Sequence, residues 1–128
     1  MNEEQPDKSS FSYRDLLGQD IWSSWTVSRT GWTDTGTPTV SGRFRVVGKQ
    51  CFFQVKVVPA TDVATTAGTS YISLPVTATG LGGEGSMQNL STNIAVGVCV
   101  IDATNGRVYV PTQGASANTF LIAGWYEV

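Results

Sequence analysis

Apolar and polar positions alternate along most of the chain after Trp25, with the period of two that a strand buried on one face produces. In "QCFFQVKVV" the alternation predicts a core face made of Cys51, Phe53, Val55 and Val57. Gly48-Lys49 precedes this run, and we expect it to be the tight turn of a hairpin with "SGRFRVV". No segment shows an apolar helical period longer than one turn, so the pattern predicts strands throughout.

Two further segments carry the same signal. "SYISLPVTATG" alternates Ile72, Leu74 and Val76 with more polar residues, and Pro75 indicates an edge strand or a strand end. "NIAVGVCVID" is expected to point Ile94, Val96, Val98 and Val100 inward. Its other face, with Ala95, Gly97 and Cys99, is then flat enough for another sheet or subunit to approach. An Asn-Gly turn follows, and "TFLIAGWYEV" ends the chain.

These segments predict an all-β fold, an antiparallel β-sandwich or jelly roll of six to eight strands. We assign it to one domain at residues 25–128, preceded by a short extended N-terminal arm at 1–24. Residues 1–10 are polar and charged, which predicts disorder in isolation. The rest of the arm has apolar residues suited to anchoring on a particle: Phe11, Tyr13, Leu16, Leu17, Ile21 and Trp22.

The charge distribution limits the classes of partner that the protein is expected to bind. The net charge is −2, and after residue 20 five acidic residues face six basic ones without a basic run. Binding to nucleic acid is therefore not expected. No apolar stretch is long enough for membrane insertion, and "MNEEQPDKSS" lacks a signal-peptide pattern. Cys51 and Cys99 lie in apolar runs, where two buried thiols are favoured over a disulfide.

Residue types also limit the chemistry. The chain has no histidine, which removes Ser-His-Asp and Cys-His catalysis and the common zinc sites. The acids of the folded part, mostly in predicted turns, are Asp34, Asp62, Glu84, Asp102 and Glu127. "GLGGEG" matches a dinucleotide-binding pattern, but no helix is predicted after it, so a glycine-rich loop is favoured. We expect a non-enzymatic protein without cofactor or metal.

Three tryptophans at positions 22, 25 and 32 fall within "WSSWTVSRTGW". Indole rings stack on sugars and on apolar surfaces alike. The cluster therefore predicts either a glycan-binding platform or burial in a core or subunit interface.

Several stretches, in this order, resemble the small β-sandwich domains that end bacteriophage tail fibres and head fibres: "WSSWTVSRTGW", "GRFRVVGKQCFFQVKV", "GTSYISLPVTATG", "GVCVIDATNGRVYVPT" and "TFLIAGWYEV". The resemblance covers residues 22–128. It implies a homotrimeric jelly roll in a virion made in the host cytoplasm, with capsid or tail proteins as partners and host surface polysaccharide as a further ligand. Domains of this kind follow a long shaft, whereas here about twenty residues precede the resemblance, so a short head fibre, decoration protein or tail-tip component is expected.

With a trimer, the last strand would face its own core through Phe120, Ile122 and Tyr126 and a neighbouring subunit through Leu121 and Trp125. Glycan binding is expected in three predicted loops, residues 61–70, 80–91 and 112–118, which are rich in uncharged polar groups. Their candidate residues are Thr66, Gln88, Asn89, Gln113 and Asn118. The alternatives are a free-standing, monomeric carbohydrate-binding module and a polysaccharide depolymerase.

Overall fold

The computed structural model describes residues 22–128, and within them the fold is all-β and antiparallel, as the sequence predicts. The described residues form twelve strands: β1 (Ser23–Trp25), β2 (Arg29–Thr30), β3 (Thr33–Thr35), β4 (Thr39–Val47), β5 (Gln50–Val58), β6 (Asp62–Thr65), β7 (Tyr71–Ser73), β8 (Gly83–Asn89), β9 (Ile94–Asp102), β10 (Arg107–Tyr109), β11 (Gln113–Ser116) and β12 (Phe120–Glu127).

Two sheets of unequal size enclose the core. The larger is a curled half-barrel of nine strands in the order β1-β4-β5-β12-β8-β9-β10-β7-β2, and the smaller has the order β11-β6-β3. Side chains from both sheets join in one buried cluster: Cys51, Phe53, Val55, Val57, Val63, Ile72, Met87, Cys99, Val108, Val110, Phe120, Ile122 and Tyr126. The small sheet contributes Val63 to this cluster, so it covers part of the concave face.

The predicted hairpin is confirmed. Strands β4 and β5 pair from Thr39↔Val58 to Val47↔Gln50, and residues 48–49 form the turn between them. Gly48 has a φ of 60°, a left-handed conformation that glycine adopts without steric cost. The four apolar residues predicted to face inward from β5 are all buried.

Strand β12 lies in the middle of the large sheet, between β5 and β8. Phe120, Ile122 and Tyr126 are buried, as predicted, while Leu121 and Trp125 are half-buried on the outer face. The chain end is also fixed, because the Val128 amide donates to the Lys49 carbonyl at 2.9 Å. Backbone pairing on both sides therefore accounts for an apolar segment at the end of the chain.

The prediction for β9 is wrong. Val98 and Val100 are 75% and 61% exposed, whereas Cys99 is buried. Met87 of β8 pairs with Gly97, but Gln88 pairs with Ala95, so Val96 is an extra residue in a β-bulge. The bulge reverses the alternation after it and turns the two valines outward.

Ile94, also predicted to face inward, is 63% exposed at the start of β9. Only Val96 of the four predicted residues packs against the core, as a half-buried side chain.

All three predicted loops contain strands, and residues 62–65 of the first form β6. Residues 83–89 form β8 and residues 113–116 form β11. A Cβ atom at Gly83 would overlap the backbone carbonyl of Trp125, and one at Gly124 would overlap that of Glu84. Glycines therefore permit close approach of β8 and β12, which explains the glycine-rich sequence without a ligand.

Candidate functional site

The outer face of the large sheet carries the aromatic and basic side chains that converge in this fold. Directly paired residues lie on the same side of a sheet, so the register places Arg45, Phe52, Trp125 and Glu84 in one row across β4, β5, β12 and β8. A second row contains Arg43, Gln54, Ala123 and Ser86. The third contains Ser41, Lys56, Leu121 and Gln88.

Trp22 completes this surface just before β1. Its ring lies 4.6 Å from the Arg43 guanidinium carbon and 5.2 Å from that of Arg45. Arg45 also lies 5.5 Å from the centre of the Phe52 ring. Cation–π contacts of this kind hold two guanidinium groups against the sheet.

Arg43 is fixed by a second contact. Its Nε and Nη2 atoms donate hydrogen bonds to Gln54 Oε1 at 2.9 and 2.7 Å. A guanidinium group has five N–H donors, and contacts between described residues use two of them.

Two shallow depressions, each of about 300 Å³, adjoin on this surface. One is lined by Ser41, Gly42, Arg43, Gln54, Lys56 and Leu121. The other is lined by Trp22, Arg45, Phe52, Phe53, Gln54, Ala123, Gly124 and Trp125. Gln54 lines both, so they form a continuous surface with three basic residues and no acidic lining residue. We call the outer-facing residues Trp22, Arg43, Arg45, Phe52, Gln54, Lys56, Leu121 and Trp125 the aromatic–cationic face.

A different surface lies beyond β8 on the same side of the sheet. Val98 pairs with Ser86, and Val100 pairs with Tyr109, which in turn pairs with Tyr71. The two tyrosine rings are 5.3 Å apart between centres. Arg107 covers this end, because its Nη1 donates to Tyr109 Oη at 3.1 Å and its guanidinium lies 4.3 Å from the Tyr71 ring centre. We call Val98, Val100, Tyr109 and Tyr71 the valine–tyrosine surface.

The predicted tryptophan cluster is divided by the fold. Trp22 lies on the aromatic–cationic face, whereas Trp25 and Trp32 pack against the core. Trp25 meets Phe44 edge-on with ring centres 6.2 Å apart, and Trp32 Nε1 donates to the Tyr71 carbonyl at 3.2 Å. Burial thus accounts for two of the three rings.

The five predicted glycan-binding residues separate into two groups. Thr66 and Gln113 are close together, because Thr65 pairs with Gln113 and the Ala67 amide donates to Thr112 Oγ1. The second group lies next to the backbone hydrogen bond from the Leu90 amide to the Thr119 carbonyl, and it consists of Gln88, Asn89 and Asn118.

Several atoms of these residues already have partners within the protein. Asn89 is buried, and its Oδ1 accepts hydrogen bonds from the Ser91 and Thr92 amides. Gln113 Nε2 donates to the Gly114 carbonyl. Gln88 and Thr66 are exposed. Of the two, Gln88 lies on the outer sheet face beside Leu121, and Thr66 lies just after β6.

The predicted anchoring residues Phe11, Tyr13, Leu16, Leu17 and Ile21 lie outside the described residues. Trp22 is described and half-buried. Strand β1 begins opposite Phe44, near the end of β4 that precedes the residue 48–49 turn. Trp22 therefore approaches β1 from the end of the sheet opposite the residue 90–93 turn.

The five acidic residues among residues 22–128 all lie in strands, three of them at strand ends, whereas most were predicted to lie in turns. A bidentate hydrogen bond from Arg29 holds the pKa of Asp34 below its usual range. Hydrogen bonds from Asn105 lower the pKa of Asp102 in the same way. Both shifts favour the carboxylate, which is the opposite of the shift that tunes a general acid for neutral pH.

Cys51 and Cys99 are both free and buried. Burial raises the pKa of Cys99 to about 12 and that of Cys51 in the same direction. Among residues 22–128, no group of three His, Cys, Asp or Glu side chains is placed to hold a metal ion. The same part of the chain has no helix suited to crossing a membrane.

No protein-family model matches the chain, and comparisons with curated proteins and with solved structures found no significant match.

Proposed function

We propose that this chain is a non-enzymatic structural protein of a bacteriophage particle that forms a homotrimer and aids attachment to host surface glycans. The proposed role is that of a short head fibre, a decoration protein or a tail-tip component. The sequence resemblance supplies the class of protein. The exposed valine–tyrosine surface is the observation that best supports self-association.

Val98 and Val100 carry this argument. Both are β-branched residues in the interior of a nine-residue strand, and both are more than half exposed. Arg107 and Ser86 border them, so the apolar area is limited in extent. Contiguous apolar surface with a polar rim is typical of protein contacts. In a homotrimer, a second copy of the chain would cover the valine–tyrosine surface.

The sequence predicted a different contact, through Leu121 and Trp125. Both residues are already half-buried by their neighbours on the aromatic–cationic face. Covering them would therefore remove less apolar area per residue than covering Val98 or Val100. We propose the valine–tyrosine surface as the main contact between subunits.

Matched charge substitutions distinguish the two surfaces. Val98→Asp should dissociate the assembly, because an unpaired charge buried at an interface is strongly unfavourable. Leu121→Asp should leave the assembly intact. Sedimentation velocity measures both. If Leu121→Asp dissociates the protein and Val98→Asp does not, the sequence-predicted interface is correct and ours is wrong.

The particle contact is proposed for residues 1–24. Deleting residues 1–20 removes four of the predicted anchoring residues and leaves every described strand present. We expect the shortened protein to fold and associate normally but to be absent from purified particles. Incorporation at full occupancy would show that the anchor lies elsewhere.

The aromatic–cationic face supports a second candidate, a free-standing carbohydrate-binding module. It provides aromatic rings in a shallow, open surface on a rigid sheet, where a sugar ring can stack. Such a module would be a monomer, so the sedimentation measurement also separates the two candidates.

A further inference from the structure

We propose that the aromatic–cationic face binds an acidic, carboxylate-bearing polysaccharide. The proposal deepens the glycan attachment suggested above and rests on that part of it. It requires neither the trimer nor the particle. The site lies on the sheet face and not in the loops that the sequence predicts.

The three basic residues follow a line along the strands. Arg45 and Arg43 are two residues apart on β4, and Lys56 pairs with Ser41, two residues further along. At about 3.4 Å per strand residue, their backbone positions are about 7 Å apart along the strand direction and span about 14 Å, with Lys56 one strand, about 5 Å, to the side. A linear polymer with carboxylates along one edge could therefore reach Arg43 and Lys56 together.

Apolar groups run parallel to this line of charge. Trp125, Ala123 and Leu121 occupy the outer face of β12, one strand further across the sheet. Ala123 and Gly124 leave space beside Trp125, which lines the depression together with Phe52. A pyranose ring offers an apolar face for such contacts while its carboxylate points to the basic residues.

The charge balance of the site selects the ligand. Its two depressions have three basic and no acidic lining residues, although the whole chain carries a net charge of −2. Neither residue of the Arg29–Asp34 salt bridge lines the two depressions, and Glu84 lies one strand beyond Trp125. Arg43 is oriented by Gln54 and Trp22, so binding a carboxylate requires little reordering of its side chain.

Single-stranded nucleic acid also binds aromatic and basic surfaces, but the rings here suit it less. Successive bases need several free ring faces. Trp22 and Phe52 already contact guanidinium groups. Among the described residues, Trp125 is the ring of this face without a stacked cation, which is enough for one sugar but not for a series of bases.

Affinity electrophoresis in gels containing polygalacturonate, a uronic acid polymer, tests the proposal. The unaltered full chain should be retarded by polygalacturonate and not by neutral dextran, with less retardation at high salt. Arg43→Gln and Lys56→Gln should each weaken binding about tenfold, as expected for loss of a charge-assisted hydrogen bond. Trp125→Leu should weaken it without changing the charge.

Arg107→Gln is the matched control. It removes the same charge from an arginine that also stacks on an aromatic ring, but on the valine–tyrosine surface. Because Arg107 borders the proposed subunit contact, the oligomeric state of this variant is measured in parallel by sedimentation velocity. At the same oligomeric state, its affinity should stay within about twofold of the unaltered protein. Equal losses for Arg107→Gln and Arg43→Gln would overturn the site, because they would indicate attraction by overall charge alone.

Three other results would also overturn the proposal. These are no retardation by polygalacturonate, equal retardation by dextran, and tighter binding of a thymidine oligonucleotide than of polygalacturonate. A trimer that fails to bind polygalacturonate contradicts this site and leaves the structural role standing. A monomer that binds it through Arg43 supports the site and contradicts the trimer.

Discussion

The hydroxyl of Tyr126 should be a large single contributor to the stability of the fold. Its ring is fully buried, and its Oη donates to the Val76 carbonyl at 2.7 Å and accepts from the Val76 amide at 3.0 Å. One side chain thus ties the segment after β7 to the central strand β12. Burial, together with a hydrogen bond to Cys51, raises the pKa of Tyr126.

Tyr126→Phe removes both hydrogen bonds to Val76 and the contact with the Cys51 thiol without changing the packing of the ring. It leaves the N–H and C=O groups of Val76 without this partner, and an unsatisfied buried group costs about 1–3 kcal/mol. Val76 is half-buried, so water can partly replace the hydroxyl. We therefore expect a loss of about 2 kcal/mol in the free energy of unfolding, below the sum for two fully buried groups.

Urea denaturation followed by tryptophan fluorescence measures this loss, at a fixed protein concentration because association contributes to stability. Tyr109→Phe is the control, since its hydroxyl accepts one hydrogen bond from Arg107 on the outer face of the sheet. Because Tyr109 lies on the proposed subunit contact, the two variants are compared at the same oligomeric state. The control should change the free energy of unfolding by less than about 0.5 kcal/mol. Equal effects of the two substitutions would refute the reasoning.

Three further predictions follow from the close approach of β8 and β12 and from the buried thiols. Gly124→Ala should lower stability by about 2 kcal/mol or more because its Cβ meets backbone, whereas Gly114→Ala, with open space around it, should be nearly neutral in thermal denaturation. Cys51 and Cys99 should not react with an aromatic disulfide reagent until the protein unfolds; rapid reaction in native buffer would contradict their burial. The folded-state pKa of Cys99, about 12, lies above that of an unfolded thiol, so its contribution is complete below about pH 8.5 and is lost as pH rises toward 12. The melting temperature should therefore fall over this range, and less steeply in Cys99→Ala.

The local pattern of apolar and polar residues was sufficient to predict part of the fold. The hairpin of β4 and β5 follows from a glycine turn between two alternating segments, and the inward face of β12 follows from its alternation. The outward direction of Val98 could not be predicted in this way. It depends on a bulge fixed by pairing with β8, a segment whose Gly and Ser residues do not indicate a strand.

The candidate site was missed for a similar reason. Its residues are as far apart in the sequence as Trp22 and Trp125, and only the order of strands in the sheet brings them together. One local signal was present: Arg43 and Arg45 alternate with Phe44, which places two basic residues on the same outer face of one strand. Charge alternation within a predicted strand could therefore have indicated a basic sheet face.

The absolute mass of the unaltered protein tests the proposed assembly most directly. Multi-angle light scattering over a tenfold concentration range should give three times the 13.7 kDa mass of the chain. A constant mass equal to that of one chain would contradict the trimer and favour the free-standing carbohydrate-binding module.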